Sequence, residues 1–388
     1  MAATIKFFPV GNGDMSLITT SSGKNILIDC NIRSGKEYPD VVTQLRECLT
    51  RDSKNRLFVD IFVWTHPDKD HCNGIKKHFH LGEPSGWNEK DDKIFINEVY
   101  SSPIVFRRAE KNTKKNSLTL CEDAKAFNKE VKRRVNLYKK NKKIGKSGDL
   151  VKVLGEDEKG KTDDIQNIVH KLDSEIKMTN DLSAILLGPS PIAELETDED
   201  KLSSNESSVM MNYEIKVNGF STKFFTLGDA EVVCNEALWK RKSDSKTTKD
   251  LTYNILQVPH HCSWRSISHD SLKDAKKNQT RARVSKCALN ALDEAEKNAI
   301  IVASCNHIKN DDNNPPAYKA KKEYEKIADR VKGSFKCVDD HKNSKKENVP
   351  LTIVIDGSTS KVKSAASLSA CSNHTPRKVN RDGSGGYA

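Results

Sequence analysis

No stretch of the 388-residue chain approaches 18 consecutive apolar residues, so no membrane-spanning helix is expected. No two cysteines form a CxxC pair, although ten are present, which excludes zinc-ribbon and thioredoxin-type sites. The opening MAATIKFFPVGNGD has no basic segment followed by a long apolar one, so no secretory signal is expected. Reduced thiols in a cytoplasmic protein are the expectation. Hydrophobic residues are scarce at 36%, against 31% charged. Part of the length therefore reads as solvated loop or tail. No internal repeat is visible.

The charge that is present is unevenly placed. Arg107 to Lys146 holds 15 Lys and Arg against 4 Asp and Glu, a surplus equal to the whole net charge of +11. Such a block points to a phosphate-rich partner or an anionic surface. Within it, Phe127, Val131, Val135 and Tyr138 recur at helical spacing over 122–143, with cations between them. That is an amphipathic basic helix, and Lys132, Arg133 and Arg134 are its candidate nucleic-acid contacts. A solvated helix packing its apolar side on the core fits the same pattern equally well.

Short strands are expected at 4–10, 15–20 and 24–30, and a helix at 40–50. LFVDIFVW, 57–64, is a continuous apolar run, a buried strand by length and β-branching. Further strands are expected at 150–154, 182–187, 209–215, 222–227, 256–258, 298–304 and 350–355. This order suggests an α/β protein with layered sheets. Residues 1–357 read as one domain, with 83–150 as a basic insertion. Residues 358–388 are Ser-, Lys- and Gly-rich and read as a disordered tail.

The chemistry gathers where the apolar run ends. His66-Pro67-Asp68-Lys69-Asp70-His71-Cys72-Asn73-Gly74 places four metal-capable side chains within six residues. A short loop can fan His66 and Asp68 to one side and Asp70 and His71 to the other, supplying two adjacent divalent ions. Hydrolases use such pairs to activate water and clamp the attacked centre. Asp229 follows the strand TKFFTL, where its carboxylate can bridge two ions. His260 and His261 follow ILQV, where paired imidazoles offer a ligand and an acid, base or phosphate contact. Burying this many ionisable groups together without a metal would be costly.

These residues resemble the metallo-β-lactamase superfamily, whose signature is HxHxDH with a later Asp and His. Within it they resemble the hydrolase domain of ComEC-type DNA-uptake competence proteins. The matching motifs are Val10-Gly11-Asn12-Gly13-Asp14, Leu27-Ile28-Asp29, His66 to Gly74, Asn205 to Ser208, Gly228-Asp229, and Val258 to Ser263. The order holds over about residues 4–357. The resemblance implies a four-layer αββα sandwich and a dinuclear site at the sheet edge, holding zinc or manganese. It implies metal ligands His66, Asp68, Asp70, His71, Asp229 and His260, and catalytic roles for Asp70, His260 and His261. Asp14, Asn205 and Ser208 would lie near substrate, though each also fits a local role in a turn.

The chain departs from that pattern at several positions. Asp68 replaces the superfamily's second His, as it does in the competence group, which favours a metal preferring oxygen. Cys262 stands where the group has Gly. Asn314-Pro315 stands where it has a late His-Pro. The superfamily's further ligating His has no clear place, because His170 falls in a helix-like run and reads as a surface residue. The expectation is a metal-dependent phosphodiester hydrolase, most simply a nuclease acting on DNA. A small-molecule hydrolase for a cyclic nucleotide, lactone or thioester is the alternative within the superfamily. A non-catalytic nucleic-acid-binding module is the alternative outside it.

Overall fold

Successive residues of the long strands feed opposite cores, as the pleat requires. Ile26 and Ile28 enter one core and Leu27 the other, while Phe224 and Phe225 divide in the same way. In the computed structural model the described residues are 1–102, 120–155, 160, 162–191, 194–195 and 204–364. They build two large sheets. The first runs from Val169–His170 through Leu150–Leu154, Phe95–Ser101, Leu57–Trp64, Asn25–Ile28, Ser16–Thr19 and Ala3–Phe7 to Leu351–Ile355 and Ser360–Val362. The second runs from Glu175–Lys177 through Leu182–Gly188, Met210–Val217, Phe220–Thr226, Tyr253–Gln257 and Ala295–Ala303 to Ser334–Cys337.

Three cores separate four layers. Between the sheets, Ile5, Ile28, Ile61 and Val63 share a cluster with Met211, Tyr213, Phe224 and Val302. On the outer face of the first sheet, Phe62 and Trp64 pack on Phe127 and Val131 of the helix Glu122–Asn141. The Phe62 and Phe127 rings meet edge-on at 5.0 Å. On the outer face of the second, Phe225, Leu256 and Ile301 pack on Leu238, Leu292 and Tyr324. Those three come from the helices Val232–Asp244, Lys286–Leu292 and Tyr318–Arg330. The order helix, sheet, sheet, helix is the αββα sandwich expected from the sequence.

Parallel pairing sets the position of the site. Asn25–Ile28 and Leu57–Trp64 run parallel, as do Phe220–Thr226, Tyr253–Gln257 and Ala295–Ala303. Asp29, His66, Asp229, His260 and Ser304 each stand within a few residues of the C-terminal end of one of these strands. Ligand sites of parallel sheets form beyond those ends.

Three expectations change here. Within 83–150, expected as a basic insertion, Phe95–Ser101 lies inside the first sheet and Glu122–Asn141 covers that sheet's outer face. The segment expected as tail from 358 begins with an edge strand, Ser360–Val362, paired to Leu351–Ile355; residues 365–388 lie outside the described residues. His170 is in a short strand rather than a helix, paired with Leu150–Leu154. The 107–119 part of the basic block also lies outside the described residues. None of the searched helices is long and apolar enough to cross a membrane.

Candidate metal centre

The loop after Leu57–Trp64 is held by one buried carboxylate. Asp29 is fully buried with φ 55°, a left-handed backbone that an Asp tolerates at a strand end. Its Oδ1 accepts from the Thr65 backbone N–H at 2.8 Å, and its Oδ2 accepts from the Thr65 hydroxyl. The same Oδ2 lies 2.7 Å from His71 Nδ1. A proton on Nδ1 meets that oxygen and leaves the His71 Nε2 lone pair bare. Thr65 Oγ1 lies 3.0 Å from His66 Nδ1 and sets His66 the same way. At the second sheet, His261 Nδ1 lies 3.1 Å from the Ser304 carbonyl.

The imidazoles so oriented converge on Asp229. His71 Nε2 and His261 Nε2 lie 3.1 and 3.4 Å from its Oδ1. His66 Nε2 and His260 Nε2 lie 3.6 and 3.7 Å from its Oδ2. Asp68 Oδ2 stands 3.9 Å from His66 Nε2, and Asp70 Oδ2 stands 3.2 Å from His261 Nε2. The carboxylate thus divides the donors into two groups. His66, with Asp68 beside it, and His260 face one oxygen. His71, His261 and, beside His261, Asp70 face the other. Asp14, His71, Asp229 and His261 are all buried, with ligand atoms within 4.8 Å of one another.

The donor atoms lack hydrogen bonds. His66 Nε2, His71 Nε2, His261 Nε2, Asp14 Oδ1 and Asp229 Oδ1 are buried with no hydrogen-bond partner among the described residues. Orphaned polar atoms of this kind are costly. A cluster of them around one carboxylate fits cations better than any side-chain network.

The ionisation pattern agrees. Burial pulls the His71 imidazole down, but Asp229 and Asp29 outweigh it and hold the imidazole well above its ordinary value. Burial acts likewise on His261, and Asp229, Asp14 and Asp70 overcome it. Burial raises Asp229, yet His261, His71 and His66 drive it well below the carboxylate range. Asp70 opposes its own burial through His261 and His71 and is held at about 2.

The GNGD turn supports the loop from the other side. Gly13 lies against the Asp70 carbonyl, where a Cβ would come within 2.9 Å. The Asp14 backbone N–H donates to that carbonyl at 3.2 Å, and Ser304 Oγ donates to the Gly13 carbonyl at 2.8 Å. Asp14, expected near substrate, is a buried donor of the cluster. Ser208 is also buried; its Oγ accepts from the Asp229 backbone N–H at 3.1 Å. Asn205 Nδ2 donates to Glu231 Oε1 at 3.0 Å. The Asn205–Ser208 motif therefore holds the Asp229–Glu231 segment.

Other residues fall differently from expectation. His261 is 1% exposed, with Nδ1 3.1 Å from the Ser304 carbonyl and 3.4 Å from Asp14 Oδ1, and Nε2 turned to Asp229 and Asp70. Cys262 has φ 66°, directly after His260 and His261 at 50° and 51°. That left-handed backbone is why a glycine suits the position. Asn314, in place of the late His, accepts through Oδ1 from Ser263 Oγ and the Trp264 N–H, and so braces the turn. Arg134 is only 2% exposed and pairs with Glu130 at 2.7 Å. It also donates to the carbonyls of Ile96, Asn97 and Leu150. Arg133 is engaged by Glu130, Asp149 and the Gly148 carbonyl. Arg134 thereby ties the helix to the first sheet, and Arg133 ties it to the loop that precedes Leu150–Leu154. Lys132 is half-buried on the same helix and also has a partner.

Sequence reasoning did not find Thr65, Ser304 or Glu231. The first two act through a hydroxyl and a carbonyl beside recognised motifs, and only Glu231, two residues beyond Asp229, carried a residue type that could have raised suspicion.

No family model matches the chain, and no curated protein matches it. Among solved structures, it is similar to Zn(2+)-bound PqqB from Methylobacterium extorquens at 9% identity and TM-score 0.41, over 90% of this chain and 99% of that one. It is similar to the Rm3 metallo-beta-lactamase at 10% identity and TM-score 0.30, over 74% of this chain and 89% of that one. At these values neither likeness bears on chemistry, which is read from the site itself.

Proposed function

We propose that the chain is a metallo-β-lactamase-type hydrolase that holds two divalent ions, zinc or manganese, and cleaves phosphodiester bonds, with nucleic acid as the substrate. The observation that carries this is the convergence of four imidazole Nε2 atoms on the two oxygens of Asp229. His66, Asp68, His260 and Asp229 would hold one ion. Asp14, Asp70, His71, His261 and Asp229 would hold the other. Ions held there supply Lewis acidity and a nucleophile from water near neutral pH.

The chain's own residues do the rest. Asp29, Thr65 and Ser304 fix the imidazole orientations. The side chains of Asp68 and Asp70 are 36% and 37% exposed, against 0–4% for His66, His71 and Asp229, so substrate meets the cluster on their side. His260, at 14%, borders the same opening. Burial lowers its imidazole.

A polymer substrate is one reading of that opening. A small anionic diester, such as a cyclic nucleotide, is favoured by a separate observation, the internal pairing of Arg133 and Arg134. The test is incubation of the full chain with plasmid, linear DNA, RNA, a cyclic nucleotide and a chromogenic phosphodiester, each with manganese, magnesium or zinc. Cleavage by wild type and loss of cleavage in Asp70→Ala is the expected result. No cleavage of any substrate, with metal uptake verified, overturns the assignment.

A further inference from the structure

Three of the four imidazoles have a backing group within hydrogen-bond distance of Nδ1. For His66 it is Thr65 Oγ1, for His71 Asp29 Oδ2, and for His261 the Ser304 carbonyl. His260 Nδ1 is buried and makes no such bond among the described residues. It faces Glu231 Oε1 at 3.7 Å.

Glu231 is placed for more than a helix start. It is the N-cap residue of Val232–Asp244, a position where the short side chains of Ser, Thr, Asp and Asn accept from the first free N–H groups and a longer Glu is not the usual choice. Here it makes no capping bond. Its carboxylate turns back to the site, where Asn205 Nδ2 donates to Oε1 at 3.0 Å. Arg265, with a 69% exposed side chain, lies 4.0 Å from the same oxygen. The turn that carries His260 is tied to the same segment, because the His260 N–H donates to the Gly228 carbonyl at 3.0 Å. The left-handed backbone of His260, φ 50° and ψ 48°, directs one ring edge to Asp229 and the other to Glu231.

We infer that Glu231 is the positioning residue of His260, holding its ring so that Nε2 serves the Asp229 Oδ2 side of the centre, and that Asn205 fixes Glu231 for this task. The inference rests on the metal reading above. Once Nε2 gives its lone pair to a cation, the imidazole proton must sit on Nδ1, and Glu231 is the acceptor in front of it. The paired histidines then divide their work. His261, backed by Ser304, serves one oxygen of Asp229, and His260, backed by Glu231, serves the other. His260 thereby fills the ligand place for which the sequence offered no clear histidine between Gly74 and Asp229, where only His78, His80 and His170 stand.

The experiment is manganese and zinc titration of the full chain by calorimetry, with circular dichroism of each metal-free variant as the folding check. Wild type takes up two ions. Glu231→Gln keeps the shape, removes the charge, and is expected to weaken one of the two sites by about 10–100-fold, with the other within about twofold. Asn205→Ala weakens the same site by less, and carries the test if Glu231→Gln does not fold. Glu236→Gln, a carboxylate of the same helix bonded to His269 and Ser285, leaves both sites unchanged. Because Glu231 acts through His260, the Glu231→Gln, His260→Ala double variant binds no more weakly than His260→Ala alone. Additive losses, equal loss at both sites, or unchanged binding in Glu231→Gln overturns the inference and leaves the metal centre standing. Absence of metal uptake by wild type overturns the metal reading and this inference with it.

Discussion

His71 Nδ1 and Asp29 Oδ2 are 2.7 Å apart, and neither side chain is exposed to solvent. The pair sets a ligand's orientation and also pins a strand end, because Asp29 holds the Thr65 N–H and hydroxyl as well. Asp29→Ala is expected to lower metal affinity by about 10–100-fold. It also strands buried donors, at about 2–3 kcal/mol of stability. Calorimetric metal titration reads the first effect and urea denaturation of the metal-free chain the second. Unchanged affinity would remove Asp29 from the site.

Ser208 offers a contrasting case. Its hydroxyl reaches the Asp229 backbone N–H, not the open side of the cluster. Ser208→Ala should displace the shared carboxylate, lowering kcat and metal affinity while KM stays within about twofold. A rise in KM with kcat unchanged would return Ser208 to substrate binding.

The metal loop was legible because its ligands are contiguous and follow an unbroken apolar run. His260, His261 and Asp229 were legible for the same reason, each standing just past a strand. Glu231 was not, since nothing local distinguishes a carboxylate that caps a helix from one that turns away from it. Phe95–Ser101 was missed because Asn97 and Glu98 interrupt its apolar pattern, although it lies inside the sheet. Arg134 was read as surface by charge alone. It stands three residues after Val131 and four before Tyr138, on the buried stripe itself. Spacing should have outweighed its charge.

Glu98 on that strand carries a pH prediction remote from the metal ligands. Burial pushes its carboxyl up to about 7 from 4.5, only partly offset by Lys152 and Arg134. Below 4.5 it is protonated in both folded and unfolded chains. Between 4.5 and about 7 the unfolded chain loses the proton first, so this group's contribution to stability falls as pH rises and levels off above about 7. Glu98→Gln removes the titration. It should match wild type at pH 4 and exceed it at pH 8, by at most about 3 kcal/mol. Parallel denaturation curves at both pH values check this, and an equal difference at the two would refute it.

The helix Glu122–Asn141 carries the last prediction, because its cations were expected to track a phosphate backbone. Arg134 is buried with all of its donor nitrogens engaged. Arg134→Ala should therefore destabilise the chain by about 3–5 kcal/mol, the usual result of breaking a buried pair. Arg134→Met, which refills the volume, should cost less, though Glu130 keeps Arg133 as a partner in both. Lys139 lies 3.2 Å from Asp164, and Lys125 lies 2.9 Å from Glu122. Four free contacts would give a slope of log K against log salt of roughly −3 to −4 on duplex DNA. Replacing Lys132, Lys139 and Lys140 by Gln should instead change the measured slope by less than about 1. Fluorescence anisotropy with a labelled duplex in chelator, across a salt series, measures this without cleavage. A change of 2 or more in the slope would restore the helix as a nucleic-acid contact despite its internal pairing. A smaller one leaves it as the layer that covers the sheet behind the metal loop.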